Sequence, residues 1–301
     1  MSVAARGVDQ VGARGRGSVL LWPGFVAASM GVYWALTGPA ALPYDTALQV
    51  HFLVLCAGIY VVERMLPYHA IWNTYDRQTW NDVVYNVTFT VAQIGAATVA
   101  VWIAGSEGAP AGTDLFGLHW PFVLQLALLV VVVELIYYVY HRAFHVVQPL
   151  WKFHAVHHSS HQLHILNNAR VHPLEVFIAF LPILLFASVA RVPVALLNWY
   201  FAFQLTIGLL THSNIAVHSG WFSWLFNTPE LHHWHHSRLR QEQDNNYGSV
   251  TMLWDHLFGT YYNPRHRRAS WDIGTSSPVP PGLLGQLAYP FRRAARHKKG
   301  T

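Results

Sequence analysis

Four apolar runs constrain this chain more than any other feature. Residues about 18 to 37, 47 to 65, 86 to 105 and 120 to 140 come close to, or reach, the roughly 20 residues that a helix needs to cross a bilayer core of about 30 Å. Backbone in lipid must satisfy its own N–H and C=O groups, so such runs fold as helices. Another apolar pair, about 174 to 190 and 192 to 211, is split by Arg191 and Pro193 and reads as two spans or as a re-entrant hairpin. Hydrophobic residues make up 53% of the 301, charged residues only 11%, and mean hydropathy is +0.24, which excludes an ordinary soluble domain. The expected fold is all-α, an integral membrane helical bundle of about four or more spans.

A net charge of +5 with pI near 9.4 would suit a nucleic-acid partner, but the cations sort by side. With the first residues in the cytoplasm and spans alternating, cytoplasmic segments hold Arg6, Arg14 and Arg16, then Arg64 and Arg77, then Arg142, Lys152 and Arg170. Ten more lie after residue 212. Arg191 alone falls outside, and the loop 106 to 119 carries Glu107 and Asp114 with no Lys or Arg. Retained cations set orientation in this way, so the basic excess is topological, with attraction to anionic lipid, and no nucleic acid is expected.

Fourteen of the twenty histidines lie between His141 and His236. They form three spaced groups: His141 and His145 in YHRAFH, His154, His157 and His158 in HAVHH, and His232, His235 and His236 in HHWHH. Side chains three and four apart share a helical face, so each group can aim its rings at one point. Imidazole is the commonest metal ligand, and eight spaced rings exceed the four that one tetrahedral ion takes, which points to a two-metal centre. Lone histidines such as His51 and His69 read as packed or surface side chains, and His161 and His164 as exposed polar ones. Glu134 lies seven residues before His141 on nearly the same face, and reads either as support for a ligand histidine or as a helix-to-helix hydrogen bond. Pro173 suits a first helical turn, placing His172 at a helix entrance with Glu175 one turn away to orient it.

Residues 1 to 17 read as a disordered N-terminus, and 18 to 119 as membrane-anchoring spans that begin with an uncleaved anchor rather than a signal peptide. The Trp- and Tyr-rich stretch 66 to 85 reads as interfacial. Residues 120 to 262 hold the three histidine groups, and 263 to 301 read as a loose basic tail on the membrane surface. Cys56, the single cysteine, reads as core packing, leaving no disulfide and no thiolate metal site.

The series YHRAFH, HAVHHSS, NARVHPLE, THSN, NTPELHHWHH and then NNYG with WDHLFGTYY resembles the membrane-bound fatty acid hydroxylase and sterol desaturase superfamily over about 120 to 262. The resemblance implies a cytoplasmic histidine-rich catalytic cap over the spans, holding two irons and using O2 to attack an unactivated C–H bond of a lipid. It carries ligand roles onto the eight grouped histidines and adds His172 and His212. His218 is a further candidate ligand, and Asp244, Asn246 and Asp255 fall at polar positions near the metals. His233 is not required by the motif.

Attack on an alkane-like carbon needs redox chemistry that zinc lacks. No flavin or nicotinamide fingerprint is present, so electrons must come from a partner such as a ferredoxin, a cytochrome or a reductase. The competing reading is a histidine-rich metal-transport or metal-binding membrane protein, which would place ionisable residues at mid-membrane and often repeat its halves. The histidines here follow the apolar runs, and no repeat is visible.

Overall fold

A computed structural model describes residues 19–74, 76, 78–105, 115–116, 120–264 and 268–292. The expected disordered N-terminus and the acidic residues Glu107 and Asp114 lie outside the described residues. The described chain is helical, and its β-structure is limited to three isolated bridges. Long helices come first: α1 (Leu21–Thr37), α2 (Tyr44–Met65), α3 (Thr79–Gly105) and α4 (Phe122–Val146). The short α5 (Gln148–His154) precedes the hairpin α6 (Pro173–Val189) and α7 (Val194–Thr211). Then come the short helices α8 (Phe222–Leu225), α9 (Pro229–His235), α10 (Arg240–Gln243), α11 (Leu253–Phe258) and α12 (Leu283–Ala288).

Among the described residues four helices, α2, α3 up to Ile103, α4 and α7, are long and apolar enough to cross a membrane. The chain is an integral membrane helical bundle. α6 is shorter at 17 residues, about 25 Å at 1.5 Å per residue, and contains Pro182. It packs mainly on α3, whereas α7 packs on α1, α2 and α4. The outer faces stay apolar and exposed, as at Val87, Val91, Ile94 and Val101 along α3, the pattern of a surface solvated by lipid chains. His51 is a buried packing residue, its Nε2 3.2 Å from Thr206 Oγ1 and 3.4 Å from Ser29 Oγ, tying α2 to α7 and α1.

Two expectations need correction. The third span starts at Thr79 rather than near 86, because the Asp76 carboxylate accepts the N–H groups of Gln78 (2.8 Å) and Thr79 (3.1 Å) and so begins the helix inside the expected interfacial loop. Residues 268–292 are not a loose tail. They lie across the histidine-bearing segments as a strap: Gly274 N–H donates to the His236 carbonyl (3.0 Å), Tyr68 Oη to the Ala269 carbonyl (2.7 Å) and Trp151 Nε1 to Ser277 Oγ (2.9 Å). Burial of Ile273 with Trp72 and Leu163 fastens the strap by apolar contact.

Candidate metal centre

α4 ends in the turn carrying His141 and His145, one helical turn apart, with both rings buried on the inner face. α5 ends at His154, and a 3-10 turn then presents His157 and His158. Pro229 opens α9, which aims His232 and His235 inward and closes at His236. His212 caps the C-terminus of α7. These segments bring eight rings into two buried groups, His141, His145, His154 and His235 in one and His157, His212, His232 and His236 in the other.

The ring nitrogens fit metal ions better than they fit one another. Nε2 of His141 lies 3.1 Å from Nε2 of His154, and in the second group His212 lies 3.1 Å from His157 and 2.9 Å from His232, with His236 3.1 Å from His232. The edge of a tetrahedron with metal–nitrogen bonds of about 2.0–2.1 Å is about 3.3 Å, close to these separations. Six of the eight rings have Nδ1 committed to an acceptor. His141 donates to the Tyr247 carbonyl (2.8 Å), His145 to Asp244 (3.1 Å), His154 to Glu175 (2.5 Å) and His235 to the Asn245 carbonyl (2.7 Å). His157 donates to the Arg170 carbonyl (3.2 Å) and His212 to the Gly208 carbonyl (3.1 Å). An Nδ1–H so engaged leaves the Nε2 lone pair for a metal, and Nε2 of His145 and of His235 are buried without a partner. Burial holds the rings neutral, as ligation requires: it pulls His154 down to about 3 and His212 to about 4, and lowers His157, His232, His235 and His236 well below the usual histidine value.

His158 sits at the seam, its ring stacked 4.4 Å from His236 and its Nε2 3.2 Å from that of His154. The Gln243 amide donates to its Nδ1 (3.2 Å), which leaves the proton of a neutral ring on Nε2. Ligation by His158 needs that amide turned, so that its oxygen accepts from Nδ1.

Several candidates stand elsewhere. His172 lies outside both groups: its Nδ1 accepts from Leu174 N–H (3.2 Å), its Nε2 donates to the Leu287 carbonyl (3.1 Å), and its ring packs on Phe153. Being at a helix entrance makes it an N-cap, and Glu175 orients His154 in its place. His218 bonds Glu230 (2.9 Å) away from both groups. Glu134 touches no ligand histidine. It accepts from the N–H groups of Val250 (2.7 Å) and Thr251 (3.2 Å) and from Tyr200 Oη (3.4 Å), joining α4 to α7 and to the 247–251 loop. His164 is buried beside Asp82 (3.8 Å) rather than exposed, while His161 accepts from Arg238 at the surface (3.0 Å). His233 packs between Tyr68 and Trp72.

Asp255 shapes the loop that supplies the Tyr247 carbonyl. Its carboxylate accepts from the N–H groups of Tyr247 and Gly248 (2.8 Å each) and from Thr260 Oγ1 (2.7 Å), and burial pushes it up to about 6. Gly248 cannot be replaced there, since a Cβ would come within 2.2 Å of the Thr251 carbonyl. Asn246, at φ 56, bridges the Leu231 and Tyr262 carbonyls. Sequence reading missed the backbone acceptors at Gly208, Asn245, Tyr247 and Arg170, which no side-chain motif marks. It also missed the Asp82–Arg170 pair (2.5 Å) that fixes the last of these.

The fatty acid hydroxylase family profile matches residues 126–260, which include every histidine of both groups. The ornithine lipid hydroxylase OlsE of Rhizobium tropici is 36% identical over 93% of this chain and 85% of its own length. The human alkylglycerol monooxygenase is 31% identical over 49% of this chain and 33% of its own length. A fatty acid hydroxylase of a Lecanicillium species, vlmA, is 31% identical over 46% of this chain and 41% of its own. No solved structure matches the chain. With a relative matched almost end to end and the histidine-bearing segments inside the family profile, this chain belongs to the fatty acid hydroxylase family.

Proposed function

We propose that this enzyme is a two-iron monooxygenase that hydroxylates a C–H bond of a membrane lipid with an amino-acid head group of the ornithine type. The observation that carries the reading is the pair of buried four-histidine groups, each with its Nε2 atoms turned inward. End-to-end similarity to an ornithine lipid hydroxylase supports the lipid class. Two irons bound there would supply the redox chemistry that reduces O2 and oxidises the C–H bond. Atoms and electrons balance as R–H + O2 + 2 e⁻ + 2 H⁺ giving R–OH + H2O, with the electrons from a carrier protein such as a ferredoxin, a cytochrome or a reductase.

The chain's own part is to hold and shield. His141, His145, His154 and His235 would hold one iron, and His157, His212, His232 and His236 the other. Asp244 and Glu175 orient two of these rings through their Nδ1 atoms. Tyr137, one turn toward the apolar part of α4, and Tyr140, next to His141 in the chain, stand 5.4 and 6.1 Å from the His141 ring. Charge sorting supports a cytoplasmic side for the histidine cap and both termini. Reporter fusions after residues 17, 112 and 301 test this, and a cytoplasmic report at 112 overturns the arrangement.

The activity test is direct. The purified protein carries two irons per chain, and aerated cells expressing it contain a lipid heavier by one oxygen that is absent from anaerobic cultures and from a His157→Ala strain. Zinc alone in the protein, with identical lipids in all three cultures, overturns the reading. A product lighter by two hydrogens replaces hydroxylation with desaturation.

A further inference from the structure

We propose that the surface over Trp151, formed by Val146, Val147, Lys152, Leu239 and Arg240, docks an acidic one-electron carrier protein; the proposal rests on the hydroxylase reading above. Trp151 lies 5.3 Å from the His145 ring and 5.5 Å from the His158 ring, centre to centre. It is buried, and its Nε1 is fixed on Ser277, so it is not an anchor in lipid head groups. On its outer side the Arg240 guanidinium stacks 5.2 Å from the ring centre and also donates to the His145 carbonyl (3.0 Å). A single aromatic ring therefore separates the molecular surface from a histidine of the first group.

The surface around that ring has the make-up of a protein docking site. Val146, Val147 and Leu239 are 60%, 43% and 53% exposed, an apolar centre beside the cations Lys152 and Arg240, of which Arg240 is ion-paired with Asp244 (2.9 Å). Positive charge steers an acidic protein, and the apolar centre holds it once it arrives. Lipid head groups would need the charge but no ring leading inward. Each turnover takes in two electrons, so the carrier docks twice. It is oxidised each time, and the electrons and two protons reduce one oxygen atom to water.

The test uses the full-length, iron-loaded protein in nanodiscs and an acidic plant-type [2Fe–2S] ferredoxin as the probe. Carbodiimide cross-links are expected between Lys152 and ferredoxin carboxylates. Lys152→Glu and, separately, Gln148→Glu on the same exposed rim weaken ferredoxin binding about tenfold at low salt, with iron content unchanged. Arg191→Glu, at the far tip of the α6–α7 hairpin, leaves binding as it was. No binding by the unaltered protein, cross-links elsewhere, or equal weakening by Arg191→Glu overturns the proposal. So does unchanged ferredoxin affinity with lost binding to phosphatidylglycerol vesicles, which assigns the patch to lipid. An iron-loaded protein that yields no hydroxylated lipid with dithionite defeats the hydroxylase reading instead, an outcome separate from any change in ferredoxin binding.

Discussion

The two four-histidine groups are built alike on the inside and differently on the outside. In the first, every Nδ1 has an acceptor, and two of the four acceptors, Asp244 and Glu175, are carboxylates. In the second, the acceptors are the backbone carbonyls of Arg170 and Gly208, and Nδ1 of His232 and of His236 is buried without a partner. A carboxylate behind an imidazole raises its basicity and fixes its direction, whereas an unbonded ring keeps its freedom to turn. On the two-iron reading proposed above, the first group would be the tighter and more rigid metal site, and the second the looser one.

Five experiments break or sharpen that contrast. The largest effect belongs to the ligands. His235→Ala and His232→Ala each abolish the oxidised lipid, and each removes one iron per chain while the other stays; loss of both irons from either variant shows that the groups act as one site. Glu175→Gln, next in size, lowers metal affinity in the first group by roughly 10–100-fold, read by chelator titration, and an equal loss from the second group removes the asymmetry.

Acid is a third probe. His154 and His212 are held neutral, with values of about 3 and 4 against 6.5 in the unfolded chain. Below about pH 6.5 the unfolded chain takes up protons that the fold refuses, so the metal-free protein loses stability as pH falls from there toward 3 to 4. Bound iron measured along the same titration should leave the second group at a higher pH than the first. A single midpoint for both contradicts the comparison.

Smaller effects come from residues that hold the frame. Glu134→Gln leaves weaker acceptors for two buried N–H groups and costs about 1–3 kcal/mol in thermal unfolding, with both irons kept. His172→Ala removes a helix cap at about 1 kcal/mol and also keeps both irons; loss of iron from this variant would return His172 to the centre.

Local features were legible where the reason for them is local. Helices α2 and α4 follow from apolar runs, and i, i+4 spacing turns His141 and His145 to one side. Pro173 marks the start of α6. The same entrance suggested that His172 faces metal, but a cap position says only that the ring meets backbone N–H groups. Of the two readings of Glu134 the helix-to-helix hydrogen bond holds, through Tyr200 of α7, since sharing a helical face with His141 does not say how far along that face the loop from Tyr247 to Thr251 crosses. The strap over 268–292 was unreadable because Ile273 and Ala269 act through partners more than a hundred residues away in the chain.

By itself the sequence determined a helical membrane protein with three spaced groups of histidines in a family of fatty acid hydroxylases, because hydropathy, helical period and motif spacing are properties of neighbouring residues. Tertiary structure alone decided the division into two sets of four. It separated His154 from His157 and His232 from His235, although each pair sits three residues apart. It joined His157 instead to His212, fifty-five residues on, and His154 to His141. The physical reason is that a ligand set is defined by where Nε2 atoms meet, and that is fixed by how α4, α7 and α9 cross and by which carbonyl or carboxylate holds each Nδ1.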